Sequence, residues 1–400
     1  MERFSTEVPS GVFSRIRQNG TTIYIGLLFV AGYMSNAIYP SFINAITHIP
    51  QLQGVSIGAL STAEFLAFGL MLLIAERIVP ADKIRLIAGL CLAIQLAAAY
   101  AMTVIPPSLL IGCRLLYGGA SGVVLAISYI YLARTSSPGR LAAIYTTCMV
   151  LLGVVWSLLA PAVVVPLLGY PAVFLFLAFF SIVALALIRF CPNRVVALAQ
   201  SSDVVTQPKA KLGTPAILIL CSVGLWGFFM TIFWVYADPI AQHLQGELVK
   251  NWLTISLVCQ ILGAAFSALL VERLPVFTVL GVGLLISVAQ IASILIGVNG
   301  TGFVFWAGVY GFWGYFLVAF YIKALTQVDP SNRSVVYYPG VQVLTASIGP
   351  MFVSYLVSET DLHAVLTIDL VAIAVSLAFL GSGVLFRKKA IVAVSPTSTT

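Results

Sequence analysis

The run from Pro107 to Ala133 reads PSLLIGCRLLYGGASGVVLAISYIYLA, twenty-seven residues that hold a single charge, Arg114. At about 1.5 Å of helical rise per residue it can cross a hydrocarbon core of about 30 Å. A cation inside such a span costs roughly 2.5–3.5 kcal/mol on insertion scales, so Arg114 has to be answered by another group. Gly118 follows four residues on and Gly122 four after that. The two give one helix face a strip of small residues against which a neighbouring backbone can close. Static packing explains such a strip as well as motion does.

The rest of the chain has the same character. Sixty per cent of its 400 residues are hydrophobic and 8% are charged, and the mean hydropathy is +1.06. A soluble domain with this composition would have to expose an apolar surface, so the sequence reads as an all-α integral membrane protein. The formal charge of +7 does not point to nucleic acid, because the basic residues are scattered over short connections rather than gathered on one face. The first twenty residues carry Arg3, Arg15 and Arg17 without a short apolar core and cleavage site, so the first span is expected to be permanent. All six cysteines lie in spans or at a span end without C-x-x-C spacing, and packing is their reading.

Twelve spans are expected, at 21–45, 54–75, 84–105, 107–133, 141–166, 170–190, 214–239, 250–271, 276–298, 302–326, 334–357 and 363–386. Eighteen of the twenty lysines and arginines fall in every second connection, and the exceptions are Arg114 and Lys250. Basic residues near span ends stay on the cytoplasmic side, which puts both termini in the cytoplasm. The expected organisation is a cytoplasmic segment 1–20, a six-helix bundle 21–190, a cytoplasmic linker 191–213, a second six-helix bundle 214–386 and a tail 387–400.

The two bundles read as copies. Glu76-Arg77 after the second span matches Glu272-Arg273 after the eighth at an offset of 196, and Gln95 matches Gln290 at 195. Tyr117-Gly118 matches Tyr310-Gly311, and Pro138-Gly139-Arg140 matches Ser331-Asn332-Arg333, both at 193. Four pairs in one order at a slowly drifting offset indicate a parallel duplication, the arrangement of a transporter with its binding site between two halves.

At this point the chain resembles the major facilitator superfamily over essentially its whole length. Arg114, Gly118 and Gly122 match the R-x-x-x-G-x-x-x-G spacing of that family's fourth span. The family's loop motif after the second span survives as Glu76-Arg77 with Lys83 and Arg85 but without its glycines. The Gly-Pro motif of the fifth span is reduced to Ala160-Pro161, and the eleventh span has Gly349-Pro350. The resemblance implies two pseudo-symmetric six-helix bundles, alternating access, and a cavity lined by the first, fourth, seventh and tenth helices. Glu76, Arg77, Glu272 and Arg273 are then expected to act as a cytoplasmic gate, or else as charged topogenic corners.

Glu64 is the only acid deep in the first half, about ten residues into the second span. A carboxyl group there is desolvated and can exchange a proton unless a cation stands close. Arg114 stays charged in nearly any environment and needs a carboxylate, carbonyls, water or an anionic substrate. The two are expected to form a proton-coupling or substrate pair, the alternative being a structural ion pair. Asp238, before Pro239 and after an aromatic run, is expected to face the cavity and share in coupling, whereas Asp369 is expected in water at the outer vestibule. His48, His243 and His363 are isolated, so no metal site is expected.

Aromatic spacing carries the substrate expectation. Trp226, Met230, Trp234 and Asp238 recur at every fourth position of the seventh span, and Trp306, Tyr310, Trp313 and Leu317 follow helical spacing in the tenth. With Tyr33, Asn36 and Asn44 from the first span and Tyr338, Gln342 and Thr345 from the eleventh, they would make a cavity with aromatic walls and few charges. Such a cavity suits a flat amphiphilic molecule; the alternative is that half of these rings face lipid.

The sequence therefore points to a monomeric secondary transporter in the cell membrane, in a bacterium the inner one. Its partners are a small molecule, the proton and the bilayer, with no cofactor and no enzymatic activity. Proton-coupled export of an amphiphilic or aromatic compound is the first reading. Uptake of an organic acid is the second, and a non-transporting sensor or scaffold on the same fold the third.

Overall fold

The computed structural model describes residues 12–38, 42, 49, 57–80, 82–193, 212–244, 246–357 and 361–394. Asn44, His48, most of the expected linker and the tail from Ser395 lie outside the described residues, as do the side chains of Glu76, Asp238 and Lys250. Twelve long helices are described, one for each expected span. They are α1 Val12–Ala37, α2 Ile57–Ile78, α3 Ile84–Ala101, α4 Pro107–Leu132, α5 Pro138–Leu159, α6 Ala172–Ala186, α7 Thr214–Gln242, α8 Trp252–Leu270, α9 Val276–Ile296, α10 Gly300–Val328, α11 Arg333–Leu356 and α12 Leu362–Val394.

Eight of these (α3, α4, α5, α7, α8, α9, α10 and α12) are each long and apolar enough to cross a membrane. A π turn at Ala160–Val164 and a last α turn at Val165–Leu168 prolong α5, and a bend of 105° then leads into α6, which has 15 residues. The π turn falls on Ala160-Pro161, where proline disrupts the regular ladder. In α2 the shorter stretch Thr62–Ala75 is apolar, while Tyr337, Tyr338 and Gln342 in α11 and the polar lead of α1 dilute the hydropathy of those two helices.

Two helices overrun their expected spans by eight residues or more. α1 begins at Val12 rather than 21, and α12 continues to Val394 rather than stopping at 386. Nothing obliges a helix to stop at the bilayer edge, and cations such as Arg387 near a helix carboxyl end are favoured by the macrodipole.

Within each half the closest contacts repeat, with α2 on α4 in the first and α8 on α10 in the second. Between the halves, α2 packs on α11, and α5 packs on α8 and α10. Glycines permit the first of these seams: a Cβ at Gly69 would stand 3.1 Å from the Leu344 backbone nitrogen, and one at Gly340 would stand 2.8 Å from Leu73.

The halves are also tied at the end that carries the basic loops. Asn332 Nδ2 donates to the Ala133 carbonyl over 2.8 Å, joining the α10–α11 turn to the end of α4. A Cβ at Gly139, at the start of α5, would stand 2.7 Å from the Ala319 carbonyl of α10. These two ties come from the stretches that the internal repeat pairs with each other, so the closure follows the pseudo-symmetry.

Candidate functional site

The site begins with the glycine strip of α4. A Cβ at Gly118 would collide with the Glu64 carbonyl oxygen, and one at Gly122 would stand 2.5 Å from the Phe68 carbonyl oxygen. Their absence lets the α2 backbone lie directly on α4 and brings the Glu64 side chain to Arg114, one turn before Gly118. Arg114 Nη2 forms an ion pair with Glu64 Oε2. Ser35 Oγ, from α1, donates to Glu64 Oε1 over 2.5 Å and accepts from Arg114 Nη2 over 3.3 Å. The guanidinium lies over the Phe42 ring at 3.7 Å, and Nη1 points to Met102 Sδ at 3.9 Å.

Both partners are sealed, Glu64 at 2% and Arg114 at 0% exposure. An ion pair this deep is weak evidence for stability, but removing one partner strands the other at a cost of roughly 3–5 kcal/mol. Protonating Glu64 would cancel the pair and leave Arg114 with a bidentate fork to offer an anion. Ser35 places the ion pair against α1, and Phe42 covers it from just beyond the end of that helix. Neither they nor Met102 stood out in the sequence, since a serine, a phenylalanine and a methionine in apolar spans carry no pattern of their own.

The second half repeats the packing without the charges. Gly311, which matches Gly118, abuts the Ser256 carbonyl just as Gly118 abuts that of Glu64. The position matching Arg114 is Ala307, also buried. The glutamines differ similarly. Gln95 donates to Ser121 over 2.7 Å and accepts from Ser181 over 3.2 Å, whereas Gln290 is buried with no partner for Nε2.

Aromatic rings meet across the seam. Tyr33 of α1 lies 5.3 Å from Phe29 and 5.8 Å from Phe68 and shares a hydrogen bond with Tyr129 of α4. The Tyr129 ring is 6.2 Å from Tyr338 of α11, whose hydroxyl is buried without a hydrogen-bond partner. Tyr129 was missed in the sequence because nothing sets it apart from the other tyrosines of α4.

The seventh-span row turns elsewhere. Trp226 is fully buried against Tyr321 at 5.3 Å, the Met230 carbonyl accepts from the Tyr310 hydroxyl over 2.5 Å, and Trp234 stacks on Tyr310 at 6.0 Å. These side chains pack α7 onto α10 inside the second half. Trp313 points to α9, where a Cβ at Gly283 would stand 3.1 Å from its ring. Gln342 packs on Gly227 of α7, while Asn36 is exposed near the end of α1. Four-residue spacing marks one helix face without saying whether that face meets a cavity or another helix.

One expectation is corrected. Asp369, expected in water, is 0% exposed; it sits where α12 packs on α7 and α9. At the basic corner Glu272 pairs with Lys323 of α10 at 3.0 Å, while Arg77 and Arg273 are exposed. Lys323 also donates to the Val271 carbonyl over 2.6 Å, so its reach across the end of α8 captures the carboxylate within one half.

The model of the Major Facilitator Superfamily matches residues 23–337. Among solved structures, the transporter FucP in the outward conformation superposes with a TM-score of 0.69 at 12% identity, covering 91% of this chain and 98% of that one. The human organic anion transporter MFSD10 gives 0.70 at 14% identity, with 91% and 99% covered. A variant of the E. coli fucose:proton symporter FucP gives 0.69 at 11%, with 93% and 99% covered. At such identities the likeness is one of fold. No curated protein matches the chain by sequence.

Proposed function

The chain belongs to the major facilitator superfamily, and from that premise we propose that it is a proton-coupled exporter of a small amphiphilic organic compound with an aromatic part. Membership makes it a multi-pass membrane protein and a secondary transporter rather than an enzyme. The observation that carries the proposal is the sealed Glu64–Arg114–Ser35 cluster. A carboxylate that can be neutralised only by a proton or by its arginine is a device for trading a proton against another interaction of that arginine.

The substrate class rests on the rings at the seam. Tyr33, Tyr129 and Tyr338 offer π faces and hydroxyls from both halves. An amphiphile with a flat apolar part fits such walls better than a sugar or a multiply charged anion. Basic loops on one side of the bundle favour cytoplasmic termini, and a monomer in a bacterial inner membrane completes the proposal.

Uptake of an organic acid is the second reading, favoured by Arg114 itself. Once Glu64 is protonated, the guanidinium over Phe42 presents two parallel donors to a carboxylate. Purified protein in proteoliposomes, assayed with a broad solute panel under pH gradients of both signs, separates these readings. Efflux against a solute gradient when protons enter supports export, and accumulation of acids supports uptake. Absence of flux for every solute under either gradient defeats both and leaves a sensor or scaffold.

A further inference from the structure

Asp369 stands two turns into α12, 0% exposed, and neither of its carboxyl oxygens has a hydrogen-bond partner. A hydrogen bond between Ser222 and Ser376, 3.0 Å long, fixes the antiparallel register of α7 and α12 and puts Asp369 level with Phe229. Among the described residues, the surroundings supply no counter-charge. α9 has no ionisable residue between Val276 and Ile296. α7 carries Cys221, exposed on its outer face, then Tyr236 and Asp238 farther toward its end. From α10 the Tyr310 hydroxyl lies within electrostatic range, but it donates to the Met230 carbonyl. Asp361, just before α12, and His363, in its first turn, are exposed.

An ionised carboxylate is strongly disfavoured in such a place, whereas the neutral acid is far less so. A metal cation would need several oxygen ligands, and among the described residues no group of three His, Cys, Asp or Glu exists to hold one. The first half answers its buried acid with Arg114; the matching position of the second half is Ala307.

We propose that Asp369 is a second proton-binding site, loaded in this conformation while Glu64 is ionised, so that the two halves hold buried acids in opposite states. The proton comes from water and returns to it. Discharge requires a rearrangement that brings water or a donor to the carboxylate. The use of this site in transport rests on the function proposed above; its occupancy does not.

Infrared spectroscopy of the purified full-length protein in a detergent without ester groups at neutral pH tests the occupancy, because a protonated carboxyl group then has a C=O stretch apart from every other strong band. The band is expected in the wild type and in Glu64→Gln, lost in Asp369→Asn, and displaced but present in Asp369→Glu. Its absence from the wild type, or its survival unchanged in folded Asp369→Asn, overturns the proposal. If Asp369→Asn does not fold, an unmoved band in Asp369→Glu overturns it instead. Flux without the band defeats this site alone; the band without flux defeats the transport reading alone.

Discussion

Gly118 lies against the backbone carbonyl of Glu64, one helical turn from Arg114, which holds the carboxylate of the same glutamate. Two positions of α4 thus grip one residue of α2, by backbone and by side chain. A relative motion of α2 and α4 would break both contacts at once, so these helices are expected to move as a unit. The freer partner is α1, which reaches the ion pair through Ser35 and packs Tyr33 against Phe68 of α2.

The grip makes Gly118→Ala costly. Its Cβ would meet carbonyl backbone rather than a flexible side chain, and overpacking of this kind typically costs about 1–3 kcal/mol. Gly112, on the same helix, has nothing within 4 Å of its own Cβ position. Thermal unfolding in detergent should show a clear loss for Gly118→Ala and none for Gly112→Ala; equal effects would mean that helix propensity, not the contact, is being read.

Removing one charge of the buried pair should hurt more than removing both. Glu64→Gln strands Arg114 at a cost of roughly 3–5 kcal/mol, and a second change, Arg114→Gln, should recover much of it. A double variant as unstable as the two losses added together would show that the pair is not coupled. Arg114→Lys keeps the charge but loses the fork and the stacking over Phe42, so it should unfold near the wild-type temperature while losing most of its flux. Glu64→Gln should lose accumulation driven by a pH gradient and retain exchange.

Spans and their order were legible because length and hydropathy act along the chain. Glu64 and Arg114 were legible for the same reason: a charge in a span is conspicuous, and two opposite ones in one half have few other places to go. Orientation was harder. Trp226 and Trp234 sit on one face of α7, but only the approach of α10 decides that the face is filled by Tyr321 and Tyr310. Asp369 failed for a related reason. Its depth within a long span was readable, while the burial comes from α7 and α9 closing over it, a tertiary fact with no local signature.

Asn332 should set how readily the basic ends part. It is the one non-glycine residue with positive φ among the described residues, at 54°, and its side chain ties the halves through the Ala133 carbonyl. Asn332→Gly keeps the backbone conformation and removes only that bond, typically worth about 0.5–1.5 kcal/mol. The closed population should then fall about two- to twelvefold relative to the open one. Distances between spin labels on the basic ends of α4 and α10 would report the change, and an unchanged distribution would mean that the α2–α11 seam holds the closure by itself. Asn332→Ala should in addition lose about 1–2 kcal/mol of stability, because alanine tolerates this conformation poorly.

Cys191 reports on the opposite corner of the same face. It follows the short helical turn after α6 and is fully buried, and burial pushes its thiol up to about 12 against the smaller opposing effect of Arg85. Arg85 donates to the Cys191 carbonyl over 2.8 and 2.6 Å and to the Arg189 carbonyl over 3.2 Å, pinning the turn to the start of α3. Since the thiolate is the nucleophile, a variant retaining only this cysteine should react slowly with maleimide at neutral pH, the rate rising about tenfold per pH unit below the thiol's midpoint. Arg85→Ala acts in two directions: losing the cation raises the thiol further, but losing the clamp exposes it. Burial is the larger influence, so exposure should dominate and labelling should quicken. Slower labelling in Arg85→Ala would show that the turn stays packed without its clamp and that only the charge was lost.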